Sequence, residues 1–587
     1  MIRLRILLAL CAFCASAPAL AGIDVRIHGL GSDESDNAYA QIRLLDYAKS
    51  VDASKGKDKI EYDPEEVQRL FEQGEDEIRK ALQPFGWYNP TIRSKLEGEA
   101  PDWTATYDVV AGPETDISNI DIQLEGEGAD YAALKKVVQR PRLHKGERLK
   151  HADYEALKTR LLQAANAGGY LDADFSRREL RIDVAANTAE VLLTLTTGPR
   201  WYFGEVTIQQ DGRLKDKLLR RYLKIVPGQP FDSSKLLATQ FALTDLDYFK
   251  VVEVEPQKSK AGADHRVPIV IHTTSLKPRV YKFGAGYGTD TGARALAGVE
   301  WRRLNEDGHK LRITLQPSEN ISTAVAEYRI PWGTNPGDAL SFTTQGLKQD
   351  FLGVHENLWS LGTAYNKQEG DWQRRYYLIY SNDEYKLQAE QGQGSKLLTP
   401  GFSYSKTVVN DPIFPRRGWY GFIDVHGGTT YALSDTNFVE TLVRGRAVLP
   451  LSRSVRLLGR VEEGVIFVSG FDHLPPSQRF FAGGDESVRG YDYHSLAPRD
   501  GDGNLVGGRY LTTFSLETEW NVYKNYGLAV FGDGGGADNG PAVKLHYGAG
   551  IGVRYRLPFG SVSVDFAHPF DPNSEVVHLH LGVRVGL

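Results

Sequence analysis

Hydrophobic residues change their spacing repeatedly over the first half of this chain and settle on a single spacing over the second. Around Asp63 and Pro64 an N-cap and a first-turn proline open a segment in which Val67, Leu70, Phe71, Ile78 and Leu82 fall mainly on one helical face. About ninety residues later Tyr154, Leu157, Leu161 and Ala165 do the same. Between such segments the period drops to two, as in "WTATYDVVAGP" and "AEVLLTLTTGP". Beyond Pro278 helical periodicity disappears. Tyr281, Phe283, Ala285 and Tyr287 alternate with Lys282, Gly284, Gly286 and Gly288, and "RYLTTFSLETEW" sets Tyr510, Phe514, Leu516 and Trp520 against Ser515, Glu517 and Glu519.

The first half is a repeat with a period of roughly 80 residues. Its clearest marks are the strand-ending turns "AGPETDISNIDIQLEG" at Ala111 and "TGPRWYFGEVTIQQDG" at Thr197. An aromatic turn follows each helical segment: "FGWYNP" at Phe85, "GGYLDAD" at Gly168 and "LDYF" at Leu246. The pattern predicts three copies of strand, helix, helix, strand, strand. Each copy buries one sheet face under two helices and leaves a sheet edge to which an extended chain can add.

The alternating second half yields about 16 segments, mostly near the ~10 residues a tilted membrane strand requires. Six tryptophans, Trp301, Trp332, Trp359, Trp372, Trp419 and Trp520, fall here, as interfacial girdles require. With polar residues on alternate positions, a closed membrane barrel fits better than a soluble sandwich. Its longest interruption, near 469–505, carries "FDHLPPSQRFFAGGDESVRGYDYHSLAP". That loop has too many aromatics to be a disordered linker, and the barrel lumen is where it can pack.

Composition narrows the chemistry. Residues 1–21 read as a secretory signal, with Arg3 and Arg5 ahead of an apolar run and Ala19 and Ala21 at the cleavage site. Both cysteines, Cys11 and Cys14, lie inside it, so the mature chain is expected to lack disulfides and cysteine metal sites. The formal net charge is −6, and loss of the signal makes it more negative, which argues against nucleic acid as a partner. No apolar run is long enough for a membrane helix after the signal. "DGDGN" at Asp500 imitates a calcium loop but has Leu505 and Leu511 where glycine and glutamate are required. "GAGIG" at Gly548 precedes no helix and is not a dinucleotide site. His578 and His580 share a strand face, and without a third ligand they read as lumen-facing polar residues. No metal, cofactor or enzymatic site is expected.

The three repeats resemble POTRA domains, the periplasmic modules of outer-membrane assembly proteins. "GGDESVRGY" resembles the lumen-loop motif of the BamA/TamA outer-membrane assembly superfamily, with Val488, Arg489, Gly490 and Tyr491 as its core. "VFGDGG" (Phe531, Asp533), "GAGIGVRYRLPFG" and "PRRGWY" at Pro415 resemble later strand motifs of that superfamily. Three modules point to its TamA branch. The expected fold is therefore three tandem α/β POTRA-like domains, 22–112, 113–198 and 199–277, followed by a 16-stranded antiparallel transmembrane β-barrel, 278–587. The resemblance implies that Arg489 reaches the barrel wall at Asp533 and Glu517, where an ionised group at membrane depth needs partners. The first and last strands must meet to close the barrel, and their glycines, Gly284, Gly286 and Gly288 on one and Gly582 and Gly586 on the other, weaken this seam, which is expected to open as a lateral gate. Implied partners are unfolded outer-membrane clients such as autotransporters, a periplasm-spanning TamB-like protein anchored in the inner membrane, and outer-membrane lipids. Two readings stay beside client insertion: a two-partner-type secretion conduit, and lipid transport. One departure is Leu587, where barrel clients end in an aromatic residue.

Overall fold

The computed structural model describes residues 22–54, 62–387, 392–558, 560–571 and 577–584. The expected signal, Gly586 and Leu587 lie outside these. The chain forms two compact units whose division falls inside the third repeat. One ends at Glu205 and adds Pro227–Ser234 and Gln257–Pro268; the other takes Val206–Val226, Lys235–Pro256 and everything from Ile269.

Each repeat builds a three-stranded sheet in which the last strand of the repeat lies in the middle. In the first, Asp102–Val110 pairs parallel with Ile23–His28 and antiparallel with Thr91–Glu99. In the second, Thr188–Thr196 pairs in the same two senses with Asp116–Glu125 and Asp174–Asp183. The central strands carry the cores: Ala105, Tyr107 and Val109 pack with Val67, Ile78 and Leu82 of the helix Pro64–Leu82. That helix opens as its sequence requires, with the Asp63 carboxylate accepting the Glu65 N–H at 3.0 Å. It fits closely over the sheet because residue 74 is glycine; a Cβ there would collide with the Tyr107 hydroxyl, which donates to the Phe71 carbonyl at 2.9 Å.

Among its described residues the first repeat has three α-helices, not two. Ser32–Gln41 and Arg43–Ser54 precede Pro64–Leu82. Their apolar positions, Ala38, Ile42, Leu44, Ala48 and Val51, all enter the core. Ile42 itself is extended, at φ −76° and ψ 109°, so one apolar stripe is divided between two short helices and no single periodic run reveals either.

The three aromatic turns share one task. In "FGWYNP", the Gly86 carbonyl accepts the Thr115 N–H at 3.0 Å, Tyr88 Oη meets His151 Nε2 at 2.6 Å, and Asn89 donates to the Val184 carbonyl at 2.7 Å. In "GGYLDAD", the Gly169 carbonyl accepts the Trp201 N–H at 2.7 Å, and Asp172 accepts from the Trp201 indole at 2.7 Å. In "LDYF", Asp247 pairs with Arg302 at 3.0 Å, Lys310 donates to the Leu246 carbonyl at 2.7 Å, and the Tyr248 hydroxyl donates to the Gly308 carbonyl. Each turn thus binds the element that follows its own repeat.

From Arg279 to Arg584 sixteen strands form one sheet in strict sequence order, every neighbour antiparallel. Alternation governs which side each residue takes. Phe283, Trp359, Trp419, Phe514, Leu516, Trp520 and Ile551 point outward and are exposed, while Glu517, Glu519, Asp533, Arg554 and Asp565 point inward and are buried. An apolar exterior around a charged interior is what a lipid-spanning barrel requires. Three central strands, Val354–Glu369, Trp372–Leu387 and Gln393–Val409, run 16, 16 and 17 residues, longer than the bilayer demands.

The long loop lies between Val468 and Tyr510. It ends a few residues later than the sequence suggested, because Gly508 exchanges backbone hydrogen bonds with Phe480 inside the loop before the next strand begins. Its apolar residues Phe480, Ala482, Val488, Tyr491 and Leu496 pack with Leu397, Phe438, Ile466 and Leu511 of the wall. Phe481 and Leu505 pack with Phe351, Val354 and Tyr385. The loop is a core inside the barrel.

Candidate functional site: the lumen lock and the seam

Four wall strands meet the loop tip: Tyr510–Tyr523, Tyr526–Asp538, His546–Leu557 and Gly560–Pro569. Their register sets Ser515 opposite Asp533, Glu517 opposite Phe531, and Gly552 opposite Asp565. Inward alternation then gathers Glu517, Asp533 and Asp565 around one point.

Arg489 occupies that point. Its Nε donates to Asp533 Oδ2 at 2.7 Å and its second terminal nitrogen to Asp533 Oδ1 at 3.0 Å, a two-pronged pairing. The remaining terminal nitrogen donates to Glu517 Oε2 at 2.8 Å and Asp565 Oδ2 at 3.1 Å. The Arg489 backbone N–H also reaches Asp533, at 3.1 Å. The guanidinium carbon sits 3.4 Å from the centre of the Phe531 ring, so an aromatic face takes the side its hydrogen bonds leave.

A second arginine completes the network. Arg554 donates to Glu517 at 2.8 Å and to Asp565, and Arg456 donates to Glu519 at 2.7 Å. Three guanidiniums thus face four carboxylates, all buried except the partly exposed Arg456. Removing one partner of such a group leaves charges without compensation, typically about 3–5 kcal/mol.

Glycine makes the approach possible. Gly548, Gly550 and Gly552 take alternate, lumen-side positions on one strand, and a Cβ at Gly548 would strike the Arg489 carbonyl oxygen. A Cβ at Gly552 would strike the Asp565 carboxylate. The row "GAGIG" is a flat strip of wall against which the loop tip lies. Gly490 has φ +101°, the left-handed region, with its Cα against the backbone of His568 and Pro569. Of the rest of the motif, Val488 is fully buried in the loop core and Tyr491 donates to the Tyr547 carbonyl at 3.1 Å.

The sequence motifs named Arg489, Asp533 and Glu517. They did not name Asp565, Arg554 or the Phe531 stacking contact. Alternation within "SVSVDFAHP" and "GVRYRL" places Asp565 and Arg554 on the inner face, but only the ladder register shows that Asp565 reaches Arg489 and that Arg554 shares its carboxylates.

Among the described residues, the two end strands of the sheet, Arg279–Gly288 and His578–Arg584, share no ladder. They come together near one end. The Leu581 N–H donates to Thr289 Oγ1 at 3.4 Å, and a Cβ on Gly288 would lie 3.8 Å from the Leu581 carbonyl. Gly284 and Gly286 face Leu296 and Arg294 of the neighbouring strand, and Gly582 faces Ser563, so of these glycines Gly288 is the one beside the other edge. His578 lies 3.7 Å from Asp492, whereas His580 is buried beside two carboxylates that the loop and the first hairpin supply, Asp485 and Asp290. The Asp500 carboxylate is taken up by its own turn, accepting from Asp502 and Asn504 at 3.0 and 2.8 Å.

Comparison with known families agrees with this geometry. Residues 303–583 match the Omp85 superfamily domain, residues 24–111 the POTRA domain TamA domain 1, and residues 201–275 the surface antigen variable number repeat of POTRA type. The chain's barrel half carries an Omp85 superfamily domain. The protein is an outer-membrane β-barrel with periplasmic POTRA domains. The outer membrane protein assembly factor BamA of Nitratidesulfovibrio vulgaris is 22% identical over 426 residues, covering 69% of this chain and 53% of that protein. BamA of Neisseria meningitidis serogroup B is 21% identical over 481 residues, covering 70% and 59%. The chain therefore spans a little over half the length of these curated relatives. The crystal structure of BamA from Haemophilus ducreyi lacking POTRA domains 1–3 superposes with a TM-score of 0.64 at 16% identity, over 80% of this chain and 99% of that one. That likeness is one of fold.

Proposed function

We propose that this protein is an outer-membrane assembly factor of the TamA kind, which inserts client proteins through the seam between its first and last barrel strands. The observation that carries the reading is the sheet's end-to-end order: sixteen strands laddered in sequence, with two end strands that share no ladder among the described residues. Unpaired strand edges are templates for another strand, and here they face lipid, where a nascent barrel strand has no other partner for its backbone. The POTRA edges would receive unfolded clients such as autotransporter barrels or a TamB-like periplasmic protein by the same augmentation. No cofactor or catalytic step enters, and client folding supplies the driving force.

The loop packed in the lumen favours this reading over a secretion conduit, since a polypeptide crossing the lumen would have to displace a buried charge network. Lipid transport along the same seam is a further use of one opening. The test is direct. Liposomes carrying the protein should speed insertion of a urea-unfolded barrel client several-fold over empty liposomes, and planar bilayers carrying it should conduct little. A large steady conductance with no effect on insertion would replace the assembly reading with a conduit.

A further inference from the structure

The lumen lock holds the loop to the four wall strands that precede the last one, and the loop also touches both edges of the seam. Asp485, four residues before Arg489, is the point of contact. On the first-strand side, Thr289 Oγ1 donates to its two carboxylate oxygens at 3.1 and 3.2 Å, and the Asp485 N–H donates to Asp290 Oδ2 at 2.9 Å. On the last-strand side, His580 Nδ1 lies 2.5 Å from Asp485 Oδ1. The Gly490 N–H points at His580 Nε2 at 2.9 Å, so the loop grips the imidazole from both nitrogens. Thr289 in turn accepts the Leu581 N–H.

We infer that Asp485 and His580 form a latch by which the lumen loop holds the seam shut at the Gly288 end of the first strand. The first strand begins at Arg279 and ends at Gly288, so Thr289, Asp290, His580 and Asp485 all sit at that end. Among the described residues the two edges share no ladder, and these hydrogen bonds join them through the loop. Hydrogen bonds to a charged acceptor are stronger than neutral ones, and His580 is 6% exposed at its side chain, which shields its bond from water.

Asp290, Asp485 and His580 also have the composition of a cation site, with ligand atoms mutually within 4.8 Å. The protons decide against it. Because Nε2 accepts the Gly490 N–H, the proton of the neutral ring is on Nδ1, directed at Asp485, and no lone pair remains there for a metal. The Asp485 N–H likewise occupies an Asp290 oxygen. The cluster is a set of hydrogen bonds joining three chain segments.

The latch builds on the lateral-seam reading, and its test is independent of client insertion. Nitroxides on cysteines replacing the outward-facing Tyr287 and Leu579, in the otherwise cysteine-free mature chain, report strand separation by dipolar line broadening in liposomes without client. Asp485→Ala should raise the separated population about tenfold or more, with or without EDTA. Heat-modified gel migration checks that the barrel is folded. If Asp485→Ala does not fold, His580→Ala removes the arm to the last strand and Thr289→Val the arm to the first, and either should separate the labels. Folded variants with unchanged broadening would overturn the latch and leave the seam reading intact. EDTA-induced separation in the unsubstituted protein would overturn it in favour of a bound cation. A seam that opens in the variants while client insertion stays indifferent to it would keep the latch and remove the proposed function.

Discussion

At the residue scale the protein is organised around Arg489. One guanidinium reaches Asp533, Glu517 and Asp565 and lies over Phe531. Replacing it with alanine leaves three buried carboxylates against Arg554, a loss of about 3–5 kcal/mol for the loop's docking. Arg489→Ala should raise bilayer conductance, and Arg489→Lys should not restore the closed level, because an ammonium cannot reproduce the forked contact with Asp533 while also reaching Glu517. Gly548→Val, which keeps every charge but strikes the Arg489 carbonyl, should give the same conductance increase. Unchanged conductance in both would show that these contacts do not hold the loop. The arginine and two of its acids are legible through a motif resemblance. Asp565 and Arg554 are not, since each is one inward residue among many until the strands are registered.

At the element scale the aromatic turn is the recurring device. A reader of the sequence sees three such turns and takes them for helix stops; each also binds the element after it. The first joint places His151 against Tyr88, where burial holds the imidazole's proton affinity below its ordinary value of 6.5. The separated joint therefore binds a proton more readily than the docked one. Its contribution is complete above pH about 6.5 and is lost as pH falls below that. Amide exchange around Gly86–Asn89, corrected for intrinsic rates, should be faster at pH 5 than at pH 7.5, and His151→Gln should flatten the difference. Protection that is independent of pH in the unsubstituted protein would contradict this. The first repeat's extra helix escaped the sequence reading for a physical reason: the break at Ile42 divides its apolar stripe between two helices of 10 and 12 residues.

At the scale of the whole molecule, the sixteen barrel strands were legible because alternation between lipid and lumen survives without knowledge of any pairing partner. Strand lengths were not, since Gln393–Val409 and its neighbours continue their ladders beyond what a bilayer requires. Nor could alternation show the seam, which is a property of two edges some 290 residues apart in sequence, as the Leu581–Thr289 contact spans. The seam is proposed to be the working opening. Cysteines scanned along Tyr281–Tyr287 and Leu579–Val583 provide a pair that can be oxidised across it. The measurement is insertion of an unfolded barrel client into proteoliposomes bearing the oxidised pair, before and after reductant. Loss of insertion in the locked state, recovered on reduction, is the result predicted here. Full insertion with the seam covalently closed would rule the seam out as the opening and move the work to the lumen or to the periplasmic domains.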